Sequence, residues 1–175
     1  EDEKRFYTWT LQSHIDLARA VWLDYCECKM IDTIAREPLW RHLINYRCGT
    51  GHSVSFVGNV HEGPHALNSR NTTRMRPGMV VTDEPGVYET DLVGIRIENE
   101  LVCIHKADNQ YGTFLGFEPL TFVPIATSPI LPGVLDKDEL AWLNDYHRQV
   151  FAKLAPHLNA EERVWLAEKC ASIGC

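Results

Sequence analysis

Two histidines and a handful of carboxylates carry the chemistry this sequence could do. His52 and His61 stand nine residues apart within residues 49–64, G-T-G-H-S-V-S-F-V-G-N-V-H-E-G-P. Gly49, Gly51 and Gly58 let the backbone bend there, or approach a neighbour closely. Val54, Phe56 and Val57 between the histidines are strand-forming types, so both imidazoles are expected near the ends of one short extended segment. Two later stretches, T-D-E-P-G at 82–86 and G-I-R-I-E-N at 94–99, each offer a carboxylate where a strand begins or ends. Neutral imidazole with carboxylate oxygen is a donor set for a hard or borderline divalent ion such as manganese or zinc.

Each piece alone has an ordinary structural reading. A histidine beside apolar residues is commonly a hydrogen-bonded core group, and Glu84 before Pro85-Gly86 is a natural turn carboxylate. Arg96, Glu98 and Glu100 alternate with Ile95, Ile97 and Leu101, the pattern of a half-buried strand with one wet face. Order and spacing together weigh towards a site.

Elements must hold these groups. Leu11, Ile15, Ala18 and Trp22 share one face of a 3.6-residue period, which predicts a helix over residues 2–23, with His14 beside that face as a packed or solvated residue. A connector over 25–29 leads to a second helix, 30–36 and 39–43, interrupted near Pro38. Residues 65–76 are polar and read as a surface loop whose Arg70, Arg74 and Arg76 either meet a substrate carboxylate or, the simpler reading, are solvated. Strands follow over 79–82, 87–88 and 95–105, then a polar loop over 106–113 and a strand over 117–125. Pro124, Pro129, Pro132 and Gly133 mark a linker. Asp136 with Glu139, and Asn159 with Glu162, have the spacing of helix-capping pairs before helices carrying Leu140, Leu143, Val150 and Leu154, and over 164–173. Helices, then short-turned strands, then helices give an α+β class with an antiparallel sheet.

The totals exclude several functions. The chain has 175 residues and a net charge of −7, which disfavours nucleic acid or an anionic membrane as partner. No apolar run approaches the ~20 residues of a membrane helix. Six cysteines, Cys26, Cys28, Cys48, Cys103, Cys170 and Cys175, lack disulfide-scaffold spacing and are expected as free thiols in a reducing, cytoplasmic compartment. The chain opens on Glu-Asp-Glu-Lys-Arg with neither an initiator methionine nor a signal-peptide core, and is read as a piece of a longer protein.

The motifs together resemble the C-terminal part of the catalytic domain of the Xaa-Pro aminopeptidases (aminopeptidase P), in the pita-bread metallopeptidase family. That pattern reads H-G-T-G-H-G-V-G, N-V-H-E-G-P, D-E-P-G, G-I-R-I-E-N and F-E-P-L-T, matched here at 48–55, 59–64, 83–86, 94–99 and 117–121. K-R-F-Y-T at 4–8, H-I-D-L-A at 14–18 and W-L-N-D-Y-H at 142–147 extend it over nearly the whole chain.

The resemblance implies a pita-bread (creatinase/aminopeptidase) fold, its C-terminal half, with a curved antiparallel sheet and flanking helices. Residues 1–133 would be the end of the catalytic domain and 134–175 its helical extension. The implied activity is metal-dependent release of the N-terminal residue from peptides with proline second, using two divalent ions, manganese expected, with zinc or cobalt as substitutes. His52, Glu84 and Glu98 would be metal ligands, Glu84 also the general base, and His61 the group at the scissile carbonyl or oxyanion. Arg96 would steady a carboxylate ligand from behind, and Cys48 would line the substrate pocket. A homodimer is one assembly the family suggests. The same resemblance implies five ligands, two of them aspartates upstream of residue 1, so this piece alone is expected to be metal-poor and inactive. Cys48 stands where the pattern has histidine, Ser53 and Ser55 replace glycines, and residues 22–28 lack a glycine-containing turn. The competing reading is a non-catalytic pita-bread domain that binds peptides or protein partners.

Overall fold

A computed structural model describes residues 1–174; Cys175, counted above among the free thiols, lies outside them. The chain divides into two compact units, one formed by residues 9–121 and the other by residues 1–8 with those from 122 onward.

In the larger unit, the later turns of α1 (Asp2–Ala18) bury Leu11, Ile15 and Leu17. The helix ends at Ala18, short of the expected 23, because Val21–Leu23 form a strand, β1. Trp22, expected on the helical face, instead sits in β1 and its ring lies 4.6 Å from that of Phe117. A period of 3.6 cannot register an open sheet edge that takes up a β-forming Val-Trp-Leu.

The second helix, α2 (Cys28–Trp40), runs unbroken through Pro38. Pro38 falls in the last turn; it gives up the amide bond to the carbonyl four residues back, and the burial of Pro38 and Leu39 offsets that loss. Ile31, Ala35 and Leu39 make its buried stripe. The Ser13 hydroxyl donates to the Ala35 carbonyl, tying the two helices together.

The main sheet is antiparallel, in the order β1, β8 (Gly112–Pro119), β7 (Asn99–Asn109), β4 (Val80–Asp83). Val81, Leu101, Cys103, Leu115 and Phe117 supply its buried face. The expected loop over 106–113 is strand except for a two-residue turn at 110–111. Residues 105–110 are exposed, so their polarity reflects a ribbon wet on both sides, held by cross-strand backbone pairing. Gly112, at φ +131°, begins the return strand in a conformation that favours glycine. A register shift between His105 and Ala107 bends the ribbon. The predicted strand over 117–125 stops at Pro119, within β8.

Two hairpins complete this unit: β2 (Gly51–His52) with β3 (Ala66–Leu67), and β5 (Gly86–Glu89) with β6 (Val93–Arg96). β3 lies inside the expected surface loop 65–76, where His65, Leu67 and Met75 are buried. The predicted strand 95–105 is two strands with a break at Ile97 and Glu98, so Arg96 and Glu98 do not lie along one uninterrupted strand.

In the smaller unit, the capping boxes are as expected. Asp136 opens α3 (Lys137–Leu154) and Asn159 opens α4 (Ala160–Lys169), each with reciprocal backbone and side-chain bonds to Glu139 and Glu162. A 3-10 turn, Ala155–His157, containing Pro156, follows α3. The last helix spans Ala160–Lys169 rather than 164–173, because the cap sets its start and Cys170 leaves the helical region. The proline-rich segment is tied down by the 142–147 motif: Tyr146 Oη donates to the Val123 carbonyl (3.0 Å), and His147 Nε2 accepts the Ile125 amide (3.1 Å).

Candidate metal centre

Glu84 is the hub of the site. It follows β4 and is buried; its amide donates to the Thr50 carbonyl (2.8 Å), which fixes the backbone across from β2. One carboxylate oxygen, Oε2, accepts from Arg96 at 2.6 Å. The other, Oε1, accepts the Thr82 hydroxyl at 2.9 Å and lies 3.1 Å from His52 Nε2. The Thr82 Oγ1 also accepts the His52 amide (2.9 Å), so one hydroxyl registers both candidate ligands. This close seating requires Gly51: a Cβ there would fall 1.8 Å from the Thr82 carbonyl oxygen.

The tautomer of His52 follows from its other nitrogen. Nδ1 lies 3.1 Å from the Ser53 carbonyl, which only accepts, so Nδ1 carries the proton. In the neutral ring Nε2 then presents a lone pair towards a carboxylate oxygen. Two lone-pair donors facing each other at 3.1 Å suit two ligands sharing one cation, and a backbone carbonyl behind the ring is the support that histidine ligands usually have.

His61 comes to the same place by a route that residue types alone do not predict. Residues 54–61 form no strand; Phe56, Val57 and Val60 are exposed. The segment loops back, closed by the Glu62 amide on the Ser53 carbonyl (3.2 Å), with Gly58 at φ +125°. The His61 ring meets the His52 ring edge-on with centroids 4.0 Å apart, instead of standing at the far end of an extended segment. With no neighbouring strand to pair with, apolar residues alone did not make one.

His52, His61, Glu84, Arg96 and Cys48 line one cavity of about 390 Å³. Glu98 is not in hydrogen-bond contact with them, and the link is electrostatic. Its carboxyl is raised above the ordinary range by lost solvation and by the Glu84 charge, against the pull of Arg96. Since Glu98 is an exposed residue, the like charge of Glu84 is the cause that bears on the site. Among the described residues no group of three or more His, Cys, Asp or Glu side chains is gathered tightly enough to hold an ion by itself. The donors present nonetheless fit a divalent cation: a lone-pair imidazole, a buried carboxylate and a second carboxylate whose charges repel.

Beneath the site lies a histidine that the sequence alone presents as an ordinary packed or solvated residue. His14 is fully buried, with Nδ1 3.2 Å from Asp83 Oδ2. Asn99 Nδ2 lies 3.2 Å from His14 Nε2, and Asn99 Oδ1 accepts the Thr121 hydroxyl (2.8 Å). The Asp83 carboxyl is raised by burial, opposed by His14, and raised further by Glu84 and Glu98. Asp83 is legible as part of T-D-E-P-G, but no local pattern pairs it with a residue 69 positions earlier. Thr82 is visible in the same motif without its role.

Residues 1–105 match metallopeptidase family M24, and residues 113–173 match the C-terminal region of the M24 peptidases. The chain belongs to metallopeptidase family M24. It is 43% identical over 171 residues to aminopeptidase P2 of Arabidopsis thaliana, covering 94% of this chain and 24% of that protein. It is 40% identical over 178 residues to aminopeptidase P1 of Lotus japonicus, covering 98% and 27%. The crystal structure of the X-prolyl aminopeptidase of Caenorhabditis elegans, a cytosolic enzyme with a di-nuclear active site, superposes with a TM-score of 0.92 at 37% identity, over 99% of this chain and 29% of that one. The chain therefore spans about a quarter of the length of the curated M24 relatives named here. Its fold is the pita-bread fold of this family, a mixed helix and strand architecture around a curled antiparallel sheet. No helix among the described residues is long and apolar enough to cross a membrane.

Proposed function

We propose that the polypeptide carrying this chain is a metal-dependent aminopeptidase that releases the N-terminal residue from Xaa-Pro peptides. The observation behind the reading is the convergence of His52, His61 and Arg96 on Glu84 in one cavity. Similarity to aminopeptidases P of plants and to the worm enzyme supports the substrate class.

His52, Glu84 and Glu98 would hold two divalent ions together with ligands from elsewhere in the polypeptide, since three donors are too few for a pair. Manganese suits carboxylate-rich coordination best, ahead of zinc or cobalt. When bound, such ions supply Lewis-acid polarisation and a water that ionises near neutral pH. The chain's own residues do the rest. Glu84, oriented by Arg96 and Thr82, takes the proton of the attacking water and returns it to the leaving proline nitrogen. His61 donates a hydrogen bond to the carbonyl oxygen as it gains charge. Cys48 forms part of the wall where the family pattern has histidine, which shifts pocket shape and removes one strong donor. Peptides are the partners, a cytoplasmic location agrees with the worm relative, and a homodimer is the assembly to look for.

The test uses the full polypeptide, stripped with chelator and reloaded with manganese, on paired peptides with proline or alanine second. Release of the first residue only from the proline peptide, lost on chelation and lowered at least ~1000-fold by Glu84→Gln, is the expected result. A protein that binds no metal and cleaves neither peptide would instead be the non-catalytic domain. Residues 1–175 alone should bind metal weakly and show no turnover.

A further inference from the structure

A second cavity, of about 720 Å³, adjoins the candidate metal centre. The two share Cys48, Gly49 and Asn68 in their walls. Three arginines, Arg36, Arg47 and Arg70, line the larger one, and none of its lining residues is acidic. In a chain of net charge −7, that concentration of positive charge is local and specific.

The wall is built rather than loose. Arg36 is buried and its donors are committed: Nε to Asp32 (2.8 Å), and the terminal nitrogens to Asn45 (3.2 Å) and to the Tyr46 and Cys48 carbonyls (2.9 Å each). Its guanidinium also stacks over the Tyr46 ring at 4.2 Å. Trp40 Nε1 donates to the same Asn45 side-chain oxygen (3.2 Å). Arg36 thus acts as a strut under residues 45–48 and presents Arg47 from a fixed backbone. Elsewhere in the wall the Asn68 side chain accepts the amides of Arg70 (3.0 Å) and Asn71 (3.1 Å), which fixes the turn that carries Arg70. Arg47 and Arg70 are exposed, and among the described residues neither has an acidic partner within ion-pair distance.

We propose that Arg47 and Arg70 form a carboxylate-binding subsite for the part of the peptide beyond the scissile bond. The inference rests on the aminopeptidase reading. An aminopeptidase places one residue on the amino side of the cut, so acidic side chains further along, and the free C-terminus, lie on the other side. Guanidinium groups bind carboxylates through paired hydrogen bonds, and two of them in one cavity free of acidic residues select for one. The carboxylate comes either from the C-terminus of a short peptide or from an acidic side chain.

Three peptides separate these sources: Ala-Pro-Gly-Gly as the free acid, the same peptide amidated, and amidated Ala-Pro-Glu-Gly. Hydrolysis is measured on the metal-loaded full polypeptide, and binding is measured by calorimetry with analogues whose Ala–Pro linkage is reduced and uncleavable. The wild type should favour at least one carboxylate peptide over the amidated neutral one by about tenfold in kcat/KM and in Kd, with the preference falling as salt rises. Arg47→Gln with Arg70→Gln should bring that ratio near one, whereas Arg47→Lys with Arg70→Lys should keep most of it. Preference for the free acid alone identifies the C-terminus as the source, and preference for the glutamate peptide identifies the side chain. Equal affinities in the wild type, or a ratio that survives the double glutamine variant, would overturn the subsite. If the carboxylate preference is present in binding while nothing is cleaved, the subsite stands and the aminopeptidase reading falls. Cleavage of the Ala–Pro bond without any carboxylate preference would remove the subsite and leave the aminopeptidase reading in place.

Discussion

His61 meets His52 edge-on, with ring centroids 4.0 Å apart and planes at 83°, although nine residues separate them in the chain. The loop that joins them folds back, which brings both imidazoles to one cavity. His52 points its Nε2 at Glu84, and His61 stands beside it.

The two histidines should therefore fail differently when replaced in the full polypeptide. His52→Ala should lose metal, seen by elemental analysis as a drop in bound ions at limiting manganese, and activity with it. His61→Ala should keep its metal and lower kcat by roughly 100-fold, the usual size of one lost oxyanion donor. Equal metal loss in both variants would remove the division of roles.

The pair His14–Asp83 lies fully buried beneath the site. Removing one partner of such a pair leaves an uncompensated polar group without water. His14→Ala should destabilise by about 1–3 kcal/mol, measured by urea unfolding. His14→Gln, which can still donate towards Asp83, should cost distinctly less. Similar losses for both would mean that packing rather than the pair matters.

His147, in the smaller unit, gives a pH dependence whose sign is fixed. Burial lowers its pKa below the ordinary value, and the Ile125 amide donating to Nε2 is made by the neutral ring. The folded ring therefore stays neutral while the unfolded chain takes up a proton below about pH 6.5. More protons bind to the unfolded state, so stability falls as pH drops through 6.5 towards the folded pKa and is retained above it. Thermal melting between pH 7.5 and 5.5 should show a steeper loss for the wild type than for His147→Gln, whose side-chain oxygen can accept the same amide. Parallel curves would refute this.

Much of the site could be read from local pattern. The capping pairs at Asp136–Glu139 and Asn159–Glu162 were legible because a cap is decided within four residues. Glu84, beside a turn, and Arg96, on an alternating segment, were legible for similar reasons. Trp22 was not, because whether Val-Trp-Leu continues a helix or joins a sheet depends on the free edge of β8, more than ninety residues away. Residues 106–109 do not show as strand in the sequence because polarity reports exposure, and a two-stranded extension can be exposed on both faces and still be strand. Pro38 does not break its helix because the burial of Pro38 and Leu39 offsets the lost amide bond, and that burial is a tertiary contact.

By itself the sequence determined the inventory: which imidazoles and carboxylates exist, the motifs that tie them to M24 peptidases, and the caps that start the last two helices. Only the tertiary structure decided that Thr82 registers His52 against Glu84, that His61 returns to the same cavity, and that His14 lies under Asp83. Those contacts join residues up to 69 positions apart. Their partners are chosen by chain topology and packing, which no window of neighbouring residues encodes.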